Sequence, residues 1–279
     1  MSIENIKSYR KHDFHLVDPS PWPLVASAAV FCSMIGGVWS MHGEENGLGF
    51  LIAGLLLTFL TAYLWWKDVV REGREDKAHT NNVKTGLRLG MSLFILSEVM
   101  FFFAFFFSFF YVSVFPVDIL EGVWPIKEGV WPPESIKTLD PWDVPFLNTL
   151  ILLLSGTTVT WAHYALMHNN QKDLVLALGL TVLLGFIFTG FQVYEYHHAL
   201  NHNFNFTDSV YGANFYMATG FHGFHVMIGT IFLLVCYFRA RKGQFSTKAH
   251  LGFEFAAWYW HFVDVVWLFL FSFVYIWGS

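Results

Sequence analysis

Charge is scarce in this sequence of 279 residues: Asp, Glu, Lys and Arg together make up 13% of it, about half the share of an ordinary soluble domain. So little charge leaves no large basic face to grip nucleic acid, and no nucleic-acid partner is expected. Cysteine is scarcer still. The two present, Cys32 and Cys236, sit far apart in apolar stretches, which argues against a disulfide framework and a cysteine metal site. A phosphate-cradling glycine loop, a nucleophile elbow and a zinc motif are all missing. Lys7, Arg10, Lys11, Asp13 and Asp18 precede Pro19-Ser20-Pro21-Trp22-Pro23, with no short apolar core and small-residue cleavage site, so no signal peptide is expected.

What is abundant is apolar surface: 55% of residues are hydrophobic and 20% aromatic. The charges gather between long apolar stretches, the pattern of an integral membrane protein. A span of about 20 apolar residues crosses a hydrocarbon core of roughly 30 Å. Seven such spans are predicted, at Leu24–Met41, Leu48–Trp66, Leu87–Phe115, Pro145–Leu166, Leu174–Tyr194, Ala213–Phe238 and Phe253–Ile276. The third, at 1.5 Å per residue, reaches ~43 Å and must tilt or protrude. All are too long and too continuously apolar for barrel strands, so the expected fold is all-α: a polytopic bundle forming a single transmembrane domain over residues 1–279.

Orientation follows from the cations. With the N-terminus inside, the inside segments hold Lys7, Arg10 and Lys11, the six from Lys67 to Arg88, then Lys172, and finally Arg239, Arg241, Lys242 and Lys248. Only Lys127 and Lys137 are left outside. That asymmetry predicts an inside N-terminus and an outside C-terminus, which requires an odd number of helices. The outside segment Pro116–Asp143, with Trp124-Pro125 and Trp131-Pro132-Pro133, is expected to pack at the interface as an ordered lid.

Ionisable residues inside the spans are functional candidates, because a charge near the bilayer centre costs about 2.5–3.5 kcal/mol on insertion scales. Glu98 lies ten residues past Arg88, ~15 Å deep. It reads either as a hydrogen-bonded carboxyl that fixes packing or as a proton-handling group. His222 and His225 share a face of the sixth span, and His225, ~21 Å from the level of Arg239, is close in depth to Glu98, so a Glu98–His225 hydrogen bond is predicted. In the seventh span Glu254, Trp258, His261 and Val265 form a stripe with Asp264 beside it, expected to face other helices. Several of the thirteen histidines lie in or near spans four to seven and leave two readings open, structural or interfacial side chains and haem or metal ligands. Trp65-Trp66-Lys67-Asp68 through Glu72 reads as an inside loop suited to a phospholipid headgroup, or as a plain positive-inside loop; Arg239 and Lys242 repeat the arrangement.

Six blocks carry a resemblance: Pro19 to Pro23, Trp65 to Val69, Ser97-Glu98-Val99, Thr160-Trp161-Ala162-His163, Ala218 to Val226, and Ala256 to Leu270. In this order and spacing the chain resembles subunit III of the haem–copper cytochrome c oxidases over essentially its whole length. The resemblance implies no catalytic residue and no haem or copper in this chain, with haem a and copper in partner subunits. It implies oxidase subunits I and II as partners, cytochrome c as substrate of the whole complex, and membership of a respiratory supercomplex as a further option. It implies sub-bundles 1–80 (helices 1–2) and 81–279 (helices 3–7) separated by a cleft that binds phospholipids. Trp66, Arg71, Glu72, His79, Arg239 and Lys242 would then contact headgroups, and Glu98 would be the family's buried membrane carboxyl. The expected function is a non-catalytic subunit of an aa3-type oxidase that stabilises subunit I and supports proton uptake and dioxygen access. Two leading helices favour the cytochrome c branch over a quinol oxidase subunit III. An autonomous haem-binding redox protein and a proton-coupled transporter using Glu98 and Asp264 remain as contrasting classes. The expected location is a bacterial inner (plasma) membrane, with the mitochondrial inner membrane as the alternative.

Overall fold

The computed structural model describes residues 14–74, 78–116, 130–134, 136–202 and 204–279. Among these, seven helices are long and apolar enough to cross a membrane. They are α1 (Trp22–Met41), α2 (Gly47–Arg74), α3 (Asn81–Val114), α4 (Val144–Met167), α5 (Gln171–His202), α6 (Val210–Arg241) and α7 (Leu251–Phe269), the last widening into a π-turn over Leu270–Ile276. Lys7, Arg10, Lys11, Asp13, Lys77, Lys127 and Trp124-Pro125 lie outside the described residues.

Each expected span appears, and every helix begins before its span, though the third ends at Val114, one residue short of the expected Phe115. Backbone hydrogen bonding does not stop where hydrocarbon stops, so helices continue into the polar layer. α3 has 34 residues, ~51 Å at helical rise. Trp65–Glu72, expected as a loop, is instead the closing turns of α2, whose last turn carries Arg71 and Arg74. Cations there oppose the negative end of the helix dipole, which favours continuing the helix.

The chain divides into two compact units, Met1–Leu89 and Gly90–Ser279, with the boundary inside α3. In the first unit α1 and α2 pair closely through small residues. Gly36 lies on the backbone of Leu51, Gly47 on that of Ser40 and Gly54 on that of Ser33, and a methyl at any of the three would overlap the facing helix. Between apolar helices in lipid there is no hydrophobic driving force, so close backbone approach supplies the attraction. Phe31, Met34, Leu56, Phe59 and Tyr63 point outward, as lipid-facing positions should.

In the second unit α4 packs on α5 and α7, α5 on α6, and α6 on α7. Trp260 and Trp267 of α7 are fully buried in this core. Their indole N–H groups donate to Ser155 Oγ and Thr149 Oγ1, each at 2.9 Å, which removes the cost of burying a lone donor away from water. From Gly90 onward α3 joins this unit through rings. Phe101 and Phe105 meet Phe221 at 5.0 and 5.4 Å, Phe106 meets Phe269 at 6.0 Å, and Phe110 meets Phe273 at 5.0 Å. A layer of phenylalanines thus seats α3 on α6 and α7. Of the expected lid, Trp131 packs on Phe109 and Tyr211 at 5.7 and 5.6 Å; residues 117–129 lie outside the described residues.

Candidate functional site

Glu98 projects from α3 into the phenylalanine layer, and His225 of α6 meets it with Nε2 2.8 Å from Glu98 Oε2. Depth along two separate helices, read from the sequence, puts these residues at one level, and the fold brings them into contact. His225 Nδ1 lies 2.6 Å from the carbonyl oxygen of Phe221. A carbonyl only accepts, so Nδ1 carries a hydrogen and donates it. Nε2 of a neutral ring is then an acceptor, and a carboxylate 2.8 Å away would set two acceptors against each other. The contact therefore holds one proton, as carboxylic acid with imidazole or as carboxylate with imidazolium. Either form is neutral overall, which is what a low-dielectric site demands. Phe102 and Tyr259 flank the imidazole at 5.0 and 6.3 Å.

His222, one turn before His225, is fully buried. Its Nε2 lies 3.1 Å from Val263 O and its ring sits 5.1 Å from Trp267, so it fastens α6 to α7.

The α7 stripe departs from expectation. Asp264 is buried, yet the His261 side chain is 46% exposed, and Val265 is exposed beside it. The stripe therefore opens onto the surface of the unit, while the helix face that packs inside is the one carrying Trp260, Val263, Trp267 and Leu270. α7 is apolar nearly all round, so polar periodicity does not identify its inward face. Asp264 Oδ2 lies against Gly156 of α4, where a methyl would overlap it. Its Oδ1 is buried with no hydrogen-bond partner among the described residues, and His261 Nδ1 is 3.6 Å from Oδ2. Glu254 is half-buried on the same helix.

Glu195 escaped notice in the sequence because the fifth span was ended at Tyr194. The helix continues to His202, so Glu195 is buried, and Tyr275 Oη donates to its Oε1 at 2.6 Å. An acidic residue one position past an expected span end was the signal available.

The expected headgroup residues fall in both units. In the first, Trp66 is 70% exposed, Arg71 is exposed and Glu72 half-buried. A pocket of about 460 Å³ at this end is lined by His15, Asp18, Trp22, Asp68, Arg71 and Glu72 among others, and Trp22 Nε1 donates to Asp68 Oδ2 at 2.7 Å. Ala78 N donates to Glu72 O at 3.1 Å, and the His79 ring lies over Gly73. Burial, with His15 beside it, holds the His79 imidazole below the usual histidine range. Glu72 and His79 also meet His15: ligand atoms of the three lie within 4.8 Å of one another, the convergence of metal-ligating side chains found among the described residues. In the second unit Arg239 stacks its guanidinium on the Phe245 ring at 4.7 Å and donates from Nε to Gln244 Oε1 at 3.3 Å. Lys242 is exposed at the end of α6.

Comparison with known proteins gives a consistent result. Residues 12–279 match the family model described as cytochrome c oxidase subunit III. A probable cytochrome c oxidase subunit 3 of Rickettsia felis is 61% identical over 272 residues, covering 97% of each chain. The cytochrome c oxidase subunit 3 of Prototheca wickerhamii is 57% identical over 97% of this chain and 99% of its own. That of Triticum aestivum is 53% identical over 97% of this chain and 98% of its own.

Proposed function

Since the chain belongs to the cytochrome c oxidase subunit III family, we propose that it is the non-catalytic core subunit of an aa3-type oxidase. There it stabilises subunit I, carries phospholipids, and sustains proton uptake and dioxygen access while the complex reduces dioxygen to water with electrons from cytochrome c and pumps protons. It is a multi-pass inner-membrane protein with seven spanning helices. Relatives in both bacteria and plants leave two membranes, of which we favour the bacterial one. The inside N-terminus and outside C-terminus rest on the distribution of cations, and the lipid-filled cleft on the family resemblance.

The observation that carries the supportive role is the Glu98–His225 contact. Its ionisable groups are matched to each other inside the chain and share a proton, so the pair is suited to fix α3 on α6 at mid-depth. Trp66 and Arg71 at the end of α2, and Lys242 at the end of α6, are exposed where a headgroup would lie, and each cation near an anionic lipid contributes about 1 kcal/mol. The half-exposed His261 on α7 supports a partner subunit there, because an imidazole facing hydrocarbon alone is unfavourable.

The test is a reduced-minus-oxidised optical spectrum with metal analysis on the chain purified alone and on the complex it co-purifies with in mild detergent. Haem a and copper in the complex and neither in the chain is the expected result. Stoichiometric haem in the isolated chain would overturn it and return the histidines to ligand status.

A further inference from the structure

Arg239 and Arg241 stand two residues apart on α6, ~200° around a helix, so they face opposite ways. Arg239 stacks on Phe245. Arg241 carries its guanidinium 5.8 Å from the centroid of the Tyr237 ring, on the side of α6 that meets α5. There a groove of about 670 Å³ is lined by Lys172 and Arg241 and by Leu176, Gly179, Leu183 and Tyr237 among others. The side-chain amide of Gln171 hydrogen-bonds Ala240 O, which sets the next residues along, Lys172 and Arg241, at one end. A Cβ at Gly179 would sit 3.3 Å from the Tyr237 ring, so a glycine is what lets the ring lie freely against α5. From Lys172 to Leu183 the helix rises ~16 Å, with Leu176 and Leu183 exposed along it. None of these residues is among the expected headgroup contacts.

We propose that this groove binds an anionic phospholipid, with its phosphate on Lys172 and Arg241 and one acyl chain along Leu176 to Leu183. The proposal rests on the reading that the chain carries phospholipids, and it adds a second place and a headgroup class. Lipid tails are as apolar as the leucines they would touch, so the tail exchanges at little gain and the headgroup decides which lipid stays. A guanidinium offers paired donors to phosphate oxygens, and the lysine beside it adds a point charge. Both cations are exposed, and neither has an ion-pair partner among the described residues. Asp173, next to Lys172 in sequence, does not line the groove and accepts instead from Asn170 Nδ2 at 2.7 Å. Two cations at the end of an apolar groove favour a headgroup that brings no cation of its own over a zwitterionic one.

The experiment places the intact oxidase complex in nanodiscs of phosphatidylcholine with a small fraction of a photoreactive lipid carrying a diazirine in one acyl chain. Two probes are compared, phosphatidylglycerol and phosphatidylcholine, and labelled peptides are mapped by mass spectrometry. The glycerol probe should label α5 between Leu176 and Leu183, and the choline probe should label it several times less. Lys172→Gln and Arg241→Gln should each lower the glycerol labelling about fivefold, whereas Lys248→Gln, an exposed lysine outside the groove, should leave it unchanged. Equal labelling by the two probes, or glycerol labelling that survives both charge substitutions, overturns the proposal. Leu183→Trp, which fills the groove from an exposed position, should lower the glycerol labelling at normal subunit ratio. Loss of a partner subunit from that variant would assign the groove to a protein helix instead and also overturns the proposal. Labelling at the end of α2 is read from the same digest. A labelled α2 beside an unlabelled α5 removes this groove alone, and labelling of neither removes the phospholipid-carrying reading with it.

Discussion

The Glu98–His225 contact makes a quantitative demand on stability. Glu98→Ala leaves the imidazole Nε2 without its partner, and His225→Ala leaves the carboxyl without its own. Each single substitution should cost about 1–3 kcal/mol from the orphaned polar group, and His225→Ala more, because the ring also packs on Phe102 at 5.0 Å. The double substitution removes both groups and so costs less than the sum. Side-chain hydrogen bonds between membrane helices average about 0.6 kcal/mol and reach about 1.7 in such cycles. A 2.8 Å contact holding a shared proton belongs at the upper end. The expected coupling is about 1.5 kcal/mol, roughly tenfold in an equilibrium constant. It is read by unfolding the full chain in mixed micelles with rising dodecyl sulfate, followed by tryptophan fluorescence, since Trp260 and Trp267 report the α4–α7 core. Additivity within about 0.3–0.5 kcal/mol would refute the pairing and with it the claim that the two residues share a proton.

Other substitutions probe the remaining contacts. Glu98→Gln keeps an acid-like shape and an N–H to donate to Nε2, so oxidase should assemble at normal yield, whereas Glu98→Lys sets a half-buried cation against His225 at mid-span and should deplete this chain from the purified complex. Gly54→Leu would drive a side chain into the Ser33 backbone and should separate α1 from α2, seen as loss of a disulfide cross-link engineered between them; retained cross-linking counts against the close packing. Tyr275→Phe removes the 2.6 Å donor to Glu195 and should lower stability by about 1–3 kcal/mol, with Glu195→Gln in the same background restoring part of the loss, and an unchanged melting temperature showing that water takes the donor's place.

Helix number and type were legible because membrane spans announce themselves by length and apolarity, and depth was legible because helical rise is fixed, which is how Glu98 and His225 could be matched. The inward face of α7 was not. Trp258, Val265 and Leu268 are as apolar as Trp260, Val263 and Trp267, so only packing against Ser155, Thr149 and Gly156 decides which ones are buried. Helix ends were hidden for a related reason. Trp65 to Arg74 reads as interfacial on composition, and nothing in composition says whether an interfacial segment stays helical; Glu195 was lost to the same one-residue uncertainty. The His15–Glu72–His79 convergence brings His15 to residues 57 and 64 positions further along the chain, and no spacing rule contains it.

Levels within the second unit bear on what its carboxyls can do. The side-chain amide of Gln171 at the start of α5 hydrogen-bonds Ala240 O near the end of α6, which gives the two helices a common reference. From there His225, and with it Glu98, lies 15 residues along α6, ~22 Å, while Glu195 lies 24 residues along α5, ~36 Å. About 14 Å of depth separates the two carboxyls, several times the reach of a direct proton transfer at about 2.6–3.2 Å. Each instead has a partner at its own level, His225 for Glu98 and Tyr275 for Glu195. For Glu98 and Glu195 the partner lies on another helix, so each of these two contacts ties helices together. Locally matched groups of this kind stabilise helix contacts in lipid.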